Sequence, residues 1–171
     1  MTQRALIDPR GLVCQVEPVG SDFPVAAPFK WVDCPDGTVA YEYTWDGAQV
    51  QPPAAPTLAE AQAAQSALVD KAYAAAIQQP VAYLGTTFQA DTGSQTVLTQ
   101  TVAGYTAAGA VPAGFWWLDA NNNAVAMTLA QLQGLAAAML AQGWTAFQHR
   151  VAQKKAIAAA TSVATVQAIT W

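Results

Sequence analysis

Apolar residues recur at two different spacings along this chain, and the change of spacing divides it. In the first third, short apolar runs alternate with turn residues, a pattern typical of antiparallel strands. In the rest, apolar residues recur three or four positions apart, which indicates amphipathic helices. The pattern predicts an N-terminal β-rich docking segment at residues 1–56, a linker helix at 57–80 and a C-terminal α+β domain at 81–171.

Turn chemistry separates the apolar runs of the first segment. CPDG at 34–37 favours a tight reversal, because proline fixes φ and glycine accepts positive φ. In one run Tyr41, Tyr43 and Trp45 alternate with polar residues, which predicts aromatic side chains on one sheet face. The segment is therefore predicted to be a small antiparallel meander that docks on a neighbour. Its predicted strands lie at residues 12–16, 27–33, 38–45 and 48–51.

A proline-rich connector, QPPAAP at 51–56, leads to the linker helix, and consecutive prolines favour an extended geometry. Thr57 and Glu60 form a capping-box pattern, and Pro80 ends the helix. A seam of three-four spacing runs along it, compatible either with packing on its own domain or with a small oligomeric bundle. The seam consists of Leu58, Ala61, Gln65, Leu68, Ala72 and Ala75.

The C-terminal domain is predicted to read strand, helix, hairpin, helix, helix. The strand is VAYLGTTFQA at 81–90, and the next helix starts at Asp91 or Ser94 and stops at Gly109. Its predicted buried stripe is Val97, Leu98, Val102 and Tyr105. The predicted fold class is α+β, with the N-terminal meander, the linker helix and then a small sheet packed with helices.

An aromatic hairpin and the longest helix occupy the centre of that domain. The asparagines at 121–123 separate FWWLD from AVAM and tolerate the positive φ of a tight turn. Thr128 caps the long helix, and Ser162 is predicted to cap a last short one. The predicted core stripe of the long helix is Leu129, Leu132, Leu135, Ala136, Met139, Leu140, Phe147 and Val151.

Charge is scarce and uneven. Charged residues are 11% of the chain against roughly a quarter in typical domains. No charge occurs at 92–118 or 120–148, whereas residues 1–56 carry seven acids and three bases. A surface with so few charges is poorly protected against association, so we expect other subunits to cover much of it.

Several binding classes are disfavoured. Nucleic-acid binding needs clustered basic side chains, and the one cluster, Arg150, Lys154 and Lys155, is equally explained by a helix face. The uncharged run 124–141 is long enough to span a membrane, but its central Gln131, Gln133 and Gly134 favour a buried helix without membrane insertion. We expect neither a membrane span nor nucleic acid.

The two cysteines, Cys14 and Cys34, lack the spacing of a zinc site. With no secretory signal recognised, we expect folding in a reducing cytoplasm and favour free thiols over a disulfide.

Candidate catalytic groups are few. The single histidine, His149, is expected to be exposed on a helix flank. Asp91 and Asp119 could form an acid/base pair if the sheet brings them together, but a helix start and a turn explain each of them locally. We therefore predict no enzymatic activity, no catalytic residue, no metal site and no cofactor.

Trp116 and Trp117 are the most specific feature for recognition. Neighbours on a strand face opposite sides, so one indole should face outward as a sugar platform or a protein-interface anchor, unless helices cover both faces. The interface candidates are Leu58, Leu68, Trp116 and Trp117.

The C-terminal part resembles a domain of unknown function found at the C-termini of proteins encoded in the tail regions of tailed bacteriophages and prophages. The features that carry the resemblance are Phe88, Ala90 and Asp91, then Trp117, Asp119 and Asn122, the run 127–129, and the closing Val166, Ala168 and Trp171. The N-terminal WVDCPDGTVAYEYTWDGAQVQPP resembles the leading segment of such small tail proteins.

The resemblance implies a structural virion protein in the phage tail, assembled in the host cytoplasm. Its site would be the tail tip, the baseplate or the fibre attachment region, with other tail proteins as partners. We expect a homo-oligomer, with a trimer favoured and helix 57–78 contributing. The alternative is a tail-fibre assembly chaperone that is absent from the mature particle.

Overall fold

The computed structural model describes residues 3–171, which separate into one unit ending at Ala55 and a second formed by Pro56–Trp171. Each unit has its own secondary structure. The first contains five short strands, β1 Gln3–Ile7, β2 Val13–Pro18, β3 Lys30–Cys34, β4 Thr44–Trp45 and β5 Val50–Gln51. The second contains α1 Leu58–Ala76, β6 Val81–Tyr83, β7 Thr86–Phe88, α2 Thr92–Ala108, β8 Trp116–Leu118, β9 Ala124–Ala126, α3 Leu129–Ala159 and α4 Val163–Gln167.

The first unit is built on an antiparallel sheet of order β2-β1-β3. Its central strand, β1, falls in a stretch where no strand was predicted. Ala5, Leu6 and Ile7 are all buried there, and Ala5 and Ile7 belong to the core of this unit. The class of a small antiparallel sheet is confirmed, but the strands do not follow the sequential order of a meander.

The predicted strand at 38–45 is wrong for most of its length. Only Thr44–Trp45 forms a strand, paired with β5, and residues 39–43 turn. Tyr41 has φ of 66° and is 72% exposed, so it does not share a face with Tyr43 and Trp45, which pack on the first unit's core. Tyr41 interrupts the aromatic alternation because its backbone is in the left-handed region, which residues other than glycine seldom adopt. The core of this unit consists of Ala5, Ile7, Val13, Cys34 and Val50.

Local capping chemistry sets the helix starts of the second unit. Thr57 and Glu60 form the predicted capping box, and Thr128 forms a second one with Gln131. Asp91 caps α2, whose C-terminal stop is Gly109 at φ 83°, and Ser162 caps α4. All four start residues agree with the sequence prediction.

Residues 81–90 form a hairpin, where a single strand was predicted. Val81 pairs with Phe88, and Leu84 and Gly85 turn with φ of 51° and 75°. Two consecutive positive φ values are the geometry of a two-residue hairpin loop, which reverses the chain tightly. The second hairpin, β8 and β9, forms as predicted, and Asn122 takes the positive φ expected of its turn.

Two apolar clusters hold the second unit together. One joins α1 to α3 and α4 through Ala61, Val69, Ile157, Ala160 and Val166. The other joins α2, the hairpins and the first half of α3 through Phe88, Leu98, Met127, Leu132 and Leu135. Helices therefore pack with two small hairpins, and the α+β class is confirmed.

Gly134 allows a close approach of Tyr83 to α3. A Cβ added there would lie 2.0 Å from the hydroxyl oxygen of Tyr83. The glycine therefore leaves room on α3 for the tyrosine of β6, which packs on the second cluster. No helix within residues 3–171 combines the length and the apolar character that crossing a membrane requires.

Candidate functional site

The predicted interface residues of α1 differ in their surroundings. Leu58 packs against the cluster that joins α1 to α3 and α4. Leu68 is 57% exposed. Ala61 is buried, and the Gln65 side chain donates to the Ile169 carbonyl, so the first half of the predicted seam is used inside the chain. The first half of the seam therefore packs on its own unit.

The tandem tryptophans of β8 face opposite sides of their hairpin. Trp117 packs on the cluster around Phe88 and Leu98, whereas Trp116 is 55% exposed. Helices therefore do not cover both faces of the hairpin. Trp116 lies beside a shallow depression on the outer side of α2, together with Val97 and Leu118. Val97 is 52% exposed, which corrects its prediction as a core residue of α2.

A larger groove runs along the other side of α2, between it and α3, with a volume of about 950 Å³. The side chains that line it are almost all apolar. The two polar ones are Gln95 and Thr99, and both already have partners. Gln95 Nε2 donates to the carbonyls of Ile77 at 2.8 Å and Ala90 at 2.6 Å, and Thr99 Oγ1 donates to the Gln95 carbonyl at 2.8 Å. The groove is therefore suited to apolar contact.

One edge of the groove is a stripe of large apolar side chains on α3, which we call the α3 stripe: Leu140, Trp144 and Phe147. Leu140 is 75% exposed and Trp144 59% exposed. The Trp144 and Phe147 rings stack, with centroids 5.7 Å apart and planes at 22°. Leu140 and Phe147 were predicted to be core residues, and that prediction is wrong because the core of α3 lies on another side.

The sequence contains a signal for this stripe. Leu140, Trp144 and Phe147 follow i, i+4, i+7 spacing, and the core-facing residues at 132, 135 and 139 follow i, i+3, i+7 spacing, but the two sets differ in helical phase. At 3.6 residues per turn they are centred about a third of a turn apart. One helix therefore has two apolar stripes, and a single core cannot cover both.

Glutamine side chains fix the helices around the groove. Gln142 of α3 donates to the carbonyls of Ala76 at 3.2 Å and Gln79 at 2.8 Å, at the end of α1. Gln62 of α1 donates to the carbonyls of Ile157 and Ala160 at the end of α3. The last carbonyls of a helix lack the i+4 amide partners of its interior, and each of these glutamine side chains donates to two carbonyls at such an end. Sequence reasoning missed these contacts because the partners lie far apart in the chain.

The candidate acid/base residues serve local structure. Asp91 Oδ1 accepts the amides of Gly93 and Ser94 at 2.9 and 3.0 Å, and hydrogen bonds from Ser94 hold the pKa of Asp91 below its ordinary value. Asp119 Oδ1 accepts the amides of Asn121 and Asn123, each at 2.8 Å, within its hairpin turn. Hydrogen bonds from the backbone and side chain of Asn123, with one from Asn121, likewise lower the pKa of Asp119.

The remaining titratable candidates also have structural partners. His149 is exposed and its ring meets that of Trp171 edge-on at 4.7 Å. Arg150 and Lys154 both bind Asp70 of α1 at 2.6 Å, so two members of the basic cluster pair within the unit. These hydrogen bonds, first from Lys154 and then from Arg150, lower the pKa of Asp70.

Cys14 and Cys34 are free thiols of the first unit. Cys34 is buried, and its burial raises the pKa of its thiol. Within the part of the chain described, no group of three or more His, Cys, Asp or Glu side chains is arranged to hold a metal ion.

The fold and the groove define an α+β domain organised around one long helix. Residues 60–170 match a single family model, described as "Domain of unknown function (DUF4376)", and the chain belongs to that family. No curated protein and no solved structure matches the chain.

Proposed function

We propose that this chain is a structural component of a tailed bacteriophage tail, in the tail tip, the baseplate or the fibre attachment region. It acts through protein–protein interfaces as a homo-oligomer, with a trimer favoured, alongside other tail proteins. The observation that carries the proposal is the exposed α3 stripe beside an apolar groove, in a region without charge at 120–148. Exposed apolar patches of this kind mark interaction sites.

The resemblance to tail-region proteins supplies the biological setting. It rests on positions that have defined places in the fold: Asp91 caps α2, Asp119 and Asn122 form the hairpin turn, and Val166 is the buried residue of α4. A permanent subunit buries large apolar interfaces, which suits a chain that leaves such side chains uncovered.

The proposal assigns no catalytic role. Asp91 and Asp119 each accept several hydrogen bonds from neighbouring amides, and their lowered pKa values keep them ionised at neutral pH. A general acid requires a carboxyl group that holds its proton near the working pH. Each carboxylate is accordingly assigned to stabilising its own turn or helix start.

The test is mass spectrometry of purified particles from the phage or prophage that encodes the chain. We expect peptides of this chain in washed, density-purified particles at a fixed ratio to the known tail subunits. Peptides found in the infected-cell lysate and missing from particles would overturn the proposal in favour of an assembly chaperone. A capsid-deficient lysate that still forms tails provides the control for adventitious carry-over.

A further inference from the structure

The α2–α3 groove and the α3 stripe beside it are a surface that the chain itself leaves uncovered. We propose that a second copy of this chain docks there, with the stripe of one copy in the groove of the other. The proposal deepens the proposed function, on which it rests for the expectation that copies associate. It moves the self-association surface from α1 to α3.

α1 is poorly suited to that role. Leu58, Ala61 and Val69 belong to the cluster with α3 and α4, and Gln65 binds the Ile169 carbonyl. Leu68 stays exposed, but its helix also carries Glu60, Asp70 and Lys71. A copy packed against α1 would therefore meet isolated apolar atoms among charges.

The charge distribution favours a copy of the chain over a charged partner at the α2–α3 groove. No side chain at 92–118 or 120–148 is charged, so the residues that line the groove are uncharged. Residues 57–171 carry four acids and four bases, and the net charge of −4 arises from residues 1–56. Two copies that meet through the groove thus bring uncharged lining residues together, and Lys155 is a charge beside Trp144 and Phe147 at the end of the stripe.

The surface of each copy has a projecting part and a depression. Leu140, Trp144 and Phe147 project at i, i+4 and i+7, the spacing of anchors that a helix lays into an apolar groove. The groove beside them is about 950 Å³ and includes Gly143, where an added Cβ would meet nothing within 4 Å. Each copy therefore offers both the projecting side chains and the depression that receives them.

The α3 stripe alone supplies about half of the area that such an association needs. From their exposed fractions, the three stripe residues present on the order of 400 Å² of surface, about half of the ~800 Å² per partner in a standard interface. The walls of the groove, including Val102 and Met139, supply further apolar surface. Burial of aromatic anchors in a pocket is the usual source of binding energy at protein interfaces.

The test is sedimentation velocity of the full chain, whose monomer mass is 17.9 kDa, across a concentration series. We expect a concentration-dependent multiple of the monomer mass. Leu140→Glu and Trp144→Glu place a charge in the apolar contact and should raise the dissociation constant by at least roughly tenfold. Leu68→Glu is the matched control, since it changes an exposed leucine of similar exposure on α1, and it should leave self-association unchanged.

Gly143→Leu keeps the test decisive if a charged variant folds poorly. It adds no charge and has open space within its own chain, but it fills the groove, so it should also abolish self-association. A monomer at all concentrations would overturn the inference, as would an oligomer that is lost with Leu68→Glu and retained with Leu140→Glu and Gly143→Leu. The presence of the chain in particles is measured by a separate experiment. Neither result for self-association therefore decides the assignment to the phage tail.

Discussion

The two apolar sides of α3 have similar composition and opposite surroundings. Leu132 and Leu135 are fully buried against α2 and the hairpins, whereas Leu140 and Trp144 are mostly exposed. Both sides follow three-four spacing, so spacing alone does not distinguish core from interface. The two sides differ in what packs against them. Other elements of the fold cover Leu132 and Leu135, whereas the groove beside the α3 stripe is open.

A leucine pair tests this contrast most strongly. Leu135→Ala removes a fully buried side chain, and we expect a loss of about 2–5 kcal/mol in the free energy of unfolding because a cavity remains. Leu140→Ala should stay within about 0.5 kcal/mol. Urea unfolding at low protein concentration measures both, since self-association would add concentration-dependent stability. Equal losses at the two positions would show that the stripe is part of the core.

A glutamine pair tests the contacts that fix α3 on α1. Gln142→Ala leaves the carbonyls of Ala76 and Gln79 without this donor, and we expect a cost of about 1–2 kcal/mol in unfolding free energy. Gln148 is exposed on the same helix, so Gln148→Ala should be nearly neutral. Hydrogen exchange of the α1 amides should speed up only in the Gln142 variant. Unchanged exchange there would contradict a role in holding α1.

A glycine pair predicts changes of opposite sign. In Gly134→Ala the new Cβ meets Tyr83, and the overpacking should exceed the gain in helix propensity, for a net loss of about 1 kcal/mol. Gly143→Ala meets nothing and should gain about 0.5–1 kcal/mol. Thermal unfolding measures the stability of both variants. Replacing Tyr83 with leucine should relieve the loss in the Gly134→Ala variant. A stabilising Gly134→Ala would mean that Tyr83 moves away at no cost.

The smallest effect concerns the hairpin that leads into α3. The folded-state pKa of Asp119 lies below its ordinary value of 3.8 because Asn123 and Asn121 donate to the carboxylate. The contribution of the Asp119 carboxylate to the free energy of unfolding is therefore fully present at a pH above the ordinary pKa. It is lost as the pH falls through the lower folded-state pKa. Asp119→Asn should be less stable than the parent at neutral pH, and the difference should shrink on acidification. A difference in melting temperature that does not depend on pH would contradict this origin.

Local chemistry explains which elements could be predicted. Thr57, Asp91, Thr128 and Ser162 start their helices because a capping residue interacts with amides two or three positions away. The aromatic hairpin was predictable for the same reason, through its asparagine turn. Strand alternation predicted that one of the two neighbouring tryptophans would face outward. It did not predict that the exposed one would be Trp116.

What could not be predicted depends on distant partners. β1 is a strand because β2 and β3 pair on its two sides, and nothing within QRALI itself requires this. Tyr41 interrupts an aromatic alternation by taking a left-handed backbone that its own sequence does not favour. Leu140 and Phe147 of the α3 stripe were assigned to the core because their spacing matched, although their helical phase did not.

The glutamine contacts at the helix ends have a consequence for the environments that this fold tolerates. Gln62, Gln65 and Gln142 hold α1, α3 and the segment after α4 through neutral amides, which mobile ions do not screen. Dissolved electrolyte weakens ion pairs such as Asp70 with Lys154 and leaves these amide links intact. The second unit should therefore keep its fold from low to high salt concentration.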